Sequence, residues 1–280
     1  DGLDMAKDNG ESVAFSCMYA HNLLRLSEWI GASGRKEVLL AKELGFLLKR
    51  IDDSSVNAKR KRLREYFTRT QPEPSGERVL FNAENLAEDL REKAGRVMRR
   101  IREKEWLKKE GFFNGYYDNK CRRVEGRKGK VLRISLVSQV FPIMSGVALD
   151  AQVKQIIKSV RSHLFDPELK GFHLNTDFRQ EQRDLGRAFS FAYGEKENGA
   201  IFNHMAVMYA YALYKRGFME EGREVLTSIY KMATDTSKSK IYPCLPEYFN
   251  LEGRGMYSYL TGSASWFLLT FLTYLYPPKK

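Results

Sequence analysis

Helical periodicity is the feature that most constrains the fold of this 280-residue chain. From Asp150 to Leu164, apolar residues recur at steps of three and four positions with basic residues between them, as on one face of an amphipathic helix. Similar stripes predict helices over six further ranges, 13–30, 35–51, 82–106, 200–214, 219–233 and 262–276. No segment shows the pattern of a parallel sheet, so we predict an all-α protein.

The connections between the predicted helices are of two kinds. Short ones, such as 31–34 and 216–218, predict antiparallel helical hairpins. Long ones, rich in glycine and aromatic residues, occupy 111–129, 171–199 and 234–261. Long loops between helix pairs indicate a helical toroid with its functional loops on one face. An α-solenoid scaffold stays open as an alternative, although no repeat length recurs.

A basic segment interrupts the helical pattern. Residues 52–81, which include Pro72 and Pro74, are predicted to form a polar surface excursion. The chain has 47 Lys and Arg against 35 Asp and Glu, a net charge of +12, and the densest basic cluster is Lys59–Arg62 with Arg64 and Arg69. Such a cluster can bind phosphates in a salt-dependent way, but no zinc-finger or RNA-binding signature accompanies it. We interpret it as a solvated basic face.

Composition excludes several classes of protein. With 43% apolar residues the chain can bury a core, and no stretch approaches the roughly 18 apolar residues of a membrane span. Three widely spaced cysteines, and four histidines without metal-ligand spacing, indicate a reducing compartment and no metal site. The opening residues show no secretory signal, so we expect a cytoplasmic protein.

Three segments carry residues suited to chemistry. Thr261 and Gly262 open a predicted helix, whose free N–H groups and dipole favour an anion, and Arg254 lies shortly upstream. His204, about one turn into another predicted helix, can donate a hydrogen bond to an anion. Asp1 lies beside a glycine and is a candidate acid. Helix capping and ordinary packing are the alternative interpretations of these residues.

These segments carry a family resemblance. The opening Asp-Gly-Leu-Asp-Met-Ala resembles the sequence that follows Trp-Asn in the Trp-Asn-Asp motif of glycoside hydrolase family 94. This family comprises the inverting disaccharide and oligosaccharide phosphorylases once classed as glycosyltransferase family 36. Four further blocks follow in the family's order, at 113–118, 136–146, 197–204 and 259–266. Five blocks in order make the resemblance specific, and it spans almost the whole chain.

The resemblance implies a fold and a set of site residues. The fold is one (α/α)6 catalytic barrel, of which residues 1–280 would be the C-terminal part, with long loops on one face. Asp1 matches the general acid, and His204, Thr261 and Gly262 match the phosphate ligands. Candidate substrate ligands are Glu197, Gln139 and Arg254. The barrel is expected to be incomplete, and therefore to expose apolar helix faces and to pair with a missing N-terminal half or with a second copy.

The expected reaction is reversible inverting phosphorolysis of a β-glucoside to an α-sugar 1-phosphate. Inorganic phosphate would be the nucleophile and co-substrate, with no other cofactor and no membrane partner. The partners would be a β-linked glucooligosaccharide and phosphate or a sugar 1-phosphate. Two alternatives remain from the residues alone: a non-catalytic carbohydrate-binding or scaffold remnant of the same barrel, and a basic helical nucleic-acid-binding protein.

Overall fold

A computed structural model describes residues 9–48, 52, 55–180, 182, 185–242, 244–258 and 261–277. The helices in these ranges are α1 (Val13–Ala32), α2 (Leu44–Leu48), α3 (Val56–Thr70), α4 (Ala83–Lys104), α5 (Val137–Ser145), α6 (Asp150–Leu164), α7 (Asn203–Lys215), α8 (Met219–Thr234), α9 (Thr236–Ser239) and α10 (Gly262–Thr270). A π-helical turn, Phe271–Leu275, extends α10. The strands are β1 (Glu11–Ser12), β2 (Glu37–Ala41), β3 (Arg78–Asn82), β4 (Trp106–Leu107), β5 (Phe112–Phe113), β6 (Tyr116–Tyr117), β7 (Gly126–Lys128), β8 (Val131–Arg133), β9 (Ile201–Phe202), β10 (Tyr248–Phe249) and β11 (Gly255–Met256).

The chain divides into two compact units. The smaller unit is Tyr19–Arg96, and the larger unit combines Asp1–Met18 with Val97–Lys280. Most predicted helices are confirmed, and the chain is mostly helical with small antiparallel sheets. Among the described residues, no helix is both long enough and apolar enough to cross a bilayer.

Helix α7 lies at the centre of the larger unit and packs against α5, α8 and α10. Its side chains are apolar almost all round, and Ala206, Val207 and Leu213 are essentially inaccessible to solvent. A helix of this kind is stable only when it is covered on several sides. Closure of these helices into an (α/α)6 barrel stays a prediction.

The prediction of a helix over 35–51 is wrong. Residues Glu37–Ala41 form β2, which pairs antiparallel with β3, and only the short helix α2 follows. Residues 49–51 lie outside the described ranges. The run Val-Leu-Leu-Ala hides the alternation of this strand, because Leu39 is exposed although it is as apolar as its half-buried neighbours. The partner strand lies far along the chain, so local periodicity gave no indication of it.

The segment 52–81 contains regular structure. Helix α3 occupies Val56–Thr70 and has no buried residue, and β3 begins at Arg78. The basic cluster of the sequence therefore lies on an exposed helix rather than in a loop.

Candidate active site

The start of α10 carries polar groups that lack partners. Thr261 is the N-cap residue, with extended backbone and no side-chain capping bond. Within the described residues, the hydroxyl oxygens of Thr261 and Ser263 are buried without a hydrogen-bond partner. The first N–H groups of any α-helix also lack partners inside the helix. Because buried polar groups are costly when unpaired, this arrangement is typical of a ligand site that accepts an anion.

The imidazole of His204 lies directly over Gly262. A Cβ atom added at Gly262 would lie 2.6 Å from His204 Cε1 and 2.9 Å from Nδ1, which is closer than non-bonded atoms approach each other. The site therefore requires glycine at this position. The structure thus brings together His204, Thr261 and Gly262, although His204 is far from the other two in the sequence.

Burial sets the charge of His204. Removal from solvent lowers the pKa of the imidazole below its ordinary value, because a buried ring is less able to hold a positive charge. At neutral pH the ring is therefore neutral, so that one nitrogen can donate a hydrogen bond and the other can accept one. Its ring also lies 6.4 Å, centroid to centroid, from that of Trp266 on α10.

The sheet formed by β9, β10 and β11 fixes where α7 begins. Asn203 donates from its backbone N–H to the Glu247 carbonyl and from its side chain to the Pro246 carbonyl, each at 2.9 Å. These two bonds hold the residue next to His204. In the described part of the chain the Asn203 Oδ1 atom is buried without a partner. Sequence analysis missed Asn203, although its position beside His204 at a helix start was an available signal.

Glu197 lies in a tightly held turn upstream of β9. The amide oxygen of Asn175 accepts from Gly199 N–H at 2.9 Å, and its amide nitrogen donates to Asn198 Oδ1 at 3.0 Å. Gly199 has a φ of +79°, and a Cβ there would lie 2.2 Å from the ring of Tyr193. The turn is therefore rigid, and Glu197 is held at a defined place before the helix that bears His204.

Gln139 and Arg254 do not join this group. Gln139 is fully buried. Its amide oxygen accepts from Phe113 N–H and its amide nitrogen donates to the Phe113 carbonyl, each at 2.9 Å. Its amide nitrogen also donates to the Ser135 carbonyl at 3.3 Å. The two bonds to Phe113 hold β5 against α5. Arg254 is exposed in the hairpin turn between β10 and β11, and its side chain has no hydrogen bond or ion pair within the described residues.

Asp1 lies outside the described residues. The segment that follows it is anchored from Asn9 onward, where the backbone N–H donates to Asn119 Oδ1 at 3.1 Å. Next, β1 pairs with β6, and Val13 N–H donates to the Gly115 carbonyl at 2.9 Å. The start of α1 is therefore fastened to the 113–118 block and to the residue that follows it.

Glu125 is a buried carboxyl group that sequence analysis did not single out. Its two oxygens accept hydrogen bonds from the backbone N–H groups of Gly115 and of Ser135, the latter at 2.8 Å. Burial raises the pKa of Glu125 to about 8 and outweighs these hydrogen bonds, which lower it. The group links the 113–118 block to the segment that leads into α5.

We expect Glu125→Gln to flatten the pH dependence of stability. Between about pH 4.3, where an unfolded Glu titrates, and about pH 8, the folded chain keeps a proton that the unfolded chain has lost. The free energy of unfolding of the unaltered chain therefore falls as pH rises through this window, by up to about 5 kcal/mol. Urea denaturation at several pH values measures this slope. Glu103→Gln, on the exposed face of α4, is the control, and an unchanged slope in Glu125→Gln would contradict the prediction.

Similarity to known proteins establishes the family. The sequence profile of the glycosyl hydrolase 94 superfamily catalytic domain matches residues 79–276. The chain therefore belongs to this family. The match includes the His204 and Thr261–Ser263 segments, and it leaves residues 1–78 outside.

Two characterised relatives are phosphorylases. The chain is 27% identical over 153 residues to the cellobionic acid phosphorylase of Neurospora crassa, across 50% of this chain and 19% of that protein. It is 38% identical over 73 residues to the N,N'-diacetylchitobiose phosphorylase of Vibrio proteolyticus, across 26% of this chain and 9% of that protein. The chain thus matches less than a fifth of either relative's length.

Solved structures that align with this chain include an enzyme of another family. The glucose complex of the GH63 mannosylglycerate hydrolase of Thermus thermophilus aligns at 13% identity with a TM-score of 0.45. The alignment covers 68% of this chain and 39% of that one. An uncharacterized conserved protein of the same organism also aligns with a TM-score of 0.45, over 68% of this chain and 40% of its own.

Proposed function

We propose that this chain carries the catalytic acid and the phosphate seat of an inverting glycoside phosphorylase. Asp1 protonates the departing glycosidic oxygen while phosphate attacks the anomeric carbon from the opposite face. The C–O bond to the leaving sugar breaks and a C–O bond to phosphate forms, so a β-glucoside yields an α-sugar 1-phosphate. The reaction runs in both directions, and it uses no metal or organic cofactor.

The contact between His204 and Gly262 is the observation that supports this proposal. It joins a neutral imidazole to a helix N-terminus whose neighbouring hydroxyls, at Thr261 and Ser263, have no partner among the described residues. Phosphate oxygens accept hydrogen bonds from each kind of donor present: an imidazole N–H, a hydroxyl and a helix N–H. A preorganised set of donors also orients phosphate for attack.

We propose that the turn just before β9 contributes to sugar binding. Glu197 is the residue that we propose as a partner for a sugar hydroxyl, because its turn is held rigid shortly before α7, the helix that carries His204. The two relatives named above act on sugars of different chemistry, so the acceptor sugar is best identified by screening. Candidates are cellobiose, longer cellodextrins, laminaribiose, β-1,2-glucans and N-acetylglucosamine disaccharides.

The decisive experiment measures phosphate-dependent turnover in both directions. We expect phosphate release when glucose 1-phosphate is supplied with the correct acceptor, and ³¹P NMR should identify the α-anomer as the product of the reverse process. Cleavage that proceeds equally well without phosphate would identify a hydrolase. If the full-length gene product binds sugar but does not turn it over, the protein is a non-catalytic remnant.

We expect Thr261→Val to weaken phosphate binding. Valine keeps the shape of threonine but removes the hydroxyl, and a hydrogen bond to a charged group contributes about 1.5–3 kcal/mol. The KM for phosphate should therefore rise by roughly tenfold to a hundredfold. Thr270→Val is a matched control on the same helix, since that hydroxyl donates to the Trp266 carbonyl at 2.7 Å. An equal rise in KM for both variants would remove Thr261 from the phosphate site.

A further inference from the structure

Helix α3 in the smaller unit carries the densest positive charge of the chain. Between Val56 and Thr70 it has six Lys and Arg residues and one Glu. The helix lies outside residues 79–276, which match the family profile, so the proposed phosphorylase chemistry does not account for it.

Among the described residues, three of the cations of α3 pair with no acid. On other helices, cations pair with acids about one turn away, as in Arg25–Glu28, Lys93–Asp89 and Arg223–Glu220. Within the part of the chain that the structure describes, the side chains of Arg60, Lys61 and Arg64 on α3 have no ion pair or hydrogen bond. They are therefore available to a ligand of opposite charge.

One face of α3 is anchored within the smaller unit. The guanidinium groups of Arg62 and Arg69 lie 4.4 and 4.8 Å from the ring centroid of Phe46 on α2. Arg62 also donates to the Phe46 carbonyl, and Ser55 caps the helix by accepting from Ala58 N–H at 3.1 Å. These contacts fix which side of the helix points away from α2.

The outer face of α3 combines apolar and basic side chains. Val56, Leu63 and Phe67 are 54%, 49% and 48% exposed. Their spacing of seven and four residues places them on one stripe. Arg60 and Arg64 lie beside the stripe, because each is three or four residues from one of its members.

We propose that this outer face binds the surface of a bilayer that contains anionic phospholipids. The apolar stripe would enter the boundary between headgroups and acyl chains, while the long basic side chains reach back to the headgroup phosphates. The negative surface potential of the bilayer complements the unpaired cations. A nucleic-acid backbone would complement the charge as well, but it offers no apolar medium for Val56, Leu63 and Phe67.

Vesicle binding by the full chain tests this proposal. Sedimentation with vesicles of phosphatidylcholine alone, and of phosphatidylcholine mixed with phosphatidylglycerol, measures the partition coefficient. We expect at least about tenfold stronger binding to the anionic vesicles, and weaker binding as salt increases. This comparison needs no altered protein.

Two variants separate the charged and the apolar contributions. Arg60→Gln/Lys61→Gln/Arg64→Gln should weaken binding by about a hundredfold, since each cation near an anionic surface contributes roughly a fivefold factor. Leu63→Gln/Phe67→Gln should weaken it by about tenfold, because the apolar contact is lost. The matched control is Arg99→Gln/Arg100→Gln/Lys108→Gln, which removes the same charge at exposed positions outside α3.

Several results would overturn the proposal. One is failure of the unaltered chain to bind anionic vesicles. Another is binding that the control weakens as much as the α3 charge variant does. A third is binding that survives Leu63→Gln/Phe67→Gln unchanged, which would mean simple electrostatic association. Binding to a duplex oligonucleotide without binding to vesicles would assign the face to nucleic acid instead.

Discussion

Gly262→Ala is expected to lower phosphate-dependent turnover by about a hundredfold or more. The new methyl group would lie 2.6 Å from His204 Cε1, so the imidazole must move away from the start of α10. Displacement of a positioned group by about an ångström can cost a hundredfold in rate. Steady-state kinetics with varied phosphate should show a higher KM for phosphate together with a lower kcat.

The control for this prediction is Gly95→Ala on α4. Apart from the adjacent residues and the backbone of α4 itself, no described heavy atom lies within 4 Å of a Cβ built there, and alanine is a better helix former than glycine by about 1 kcal/mol. This variant should keep full activity and gain slightly in stability. If Gly262→Ala retains the kinetics of the unaltered enzyme, the contact between His204 and α10 does not form the phosphate seat.

Asp1→Asn is expected to lower kcat between about a hundredfold and ten thousandfold, the contribution of a positioned general acid. An amide cannot supply the proton that the departing glycosidic oxygen needs. Phosphorolysis of β-linked disaccharides, whose leaving group is a poorly acidic sugar hydroxyl, should therefore nearly stop. Assay of released sugar 1-phosphate measures the loss.

The leaving group distinguishes an acid from a structural residue. An aryl β-glucoside with an acidic phenol leaves without much protonation, so Asp1→Asn should lose far less activity on that substrate than on a disaccharide. Asp4→Asn, in the same opening segment, is the matched control and should affect both substrates little. An equal loss on both substrates in Asp1→Asn would exclude Asp1 as the acid.

The meeting of His204 with the start of α10, which we propose as the phosphate seat, joins parts that each have a local signal in the sequence. Small residues before an apolar run predict a helix start, and a helix start attracts anions. His204 likewise lies near the predicted start of another helix. Local signals do not show that these two helix starts meet. Packing of α10 against α7 and the space left by the missing side chain of Gly262 bring them into contact.

Gln139 illustrates what local signals cannot reveal. A polar residue in a family block resembles a ligand as long as its neighbours are unknown. In the folded chain its amide instead bonds to the backbone of Phe113. The same applies to Glu125, whose raised pKa depends on complete burial among segments that are not adjacent in sequence.

The amino-acid sequence by itself determined the predominance of helix and most of the helical ranges, since these follow from periodicity. It also determined the family, through motifs in order, and the residue types suited to bind phosphate, through helix-start chemistry. Only the tertiary structure decided that Glu37–Ala41 is a strand, that His204 lies over Gly262 and that Asn203 belongs beside them. Each of these depends on contacts between residues far apart along the chain. Such contacts form only when the whole unit packs, because the free energy that selects them comes from burial and hydrogen bonding between distant segments.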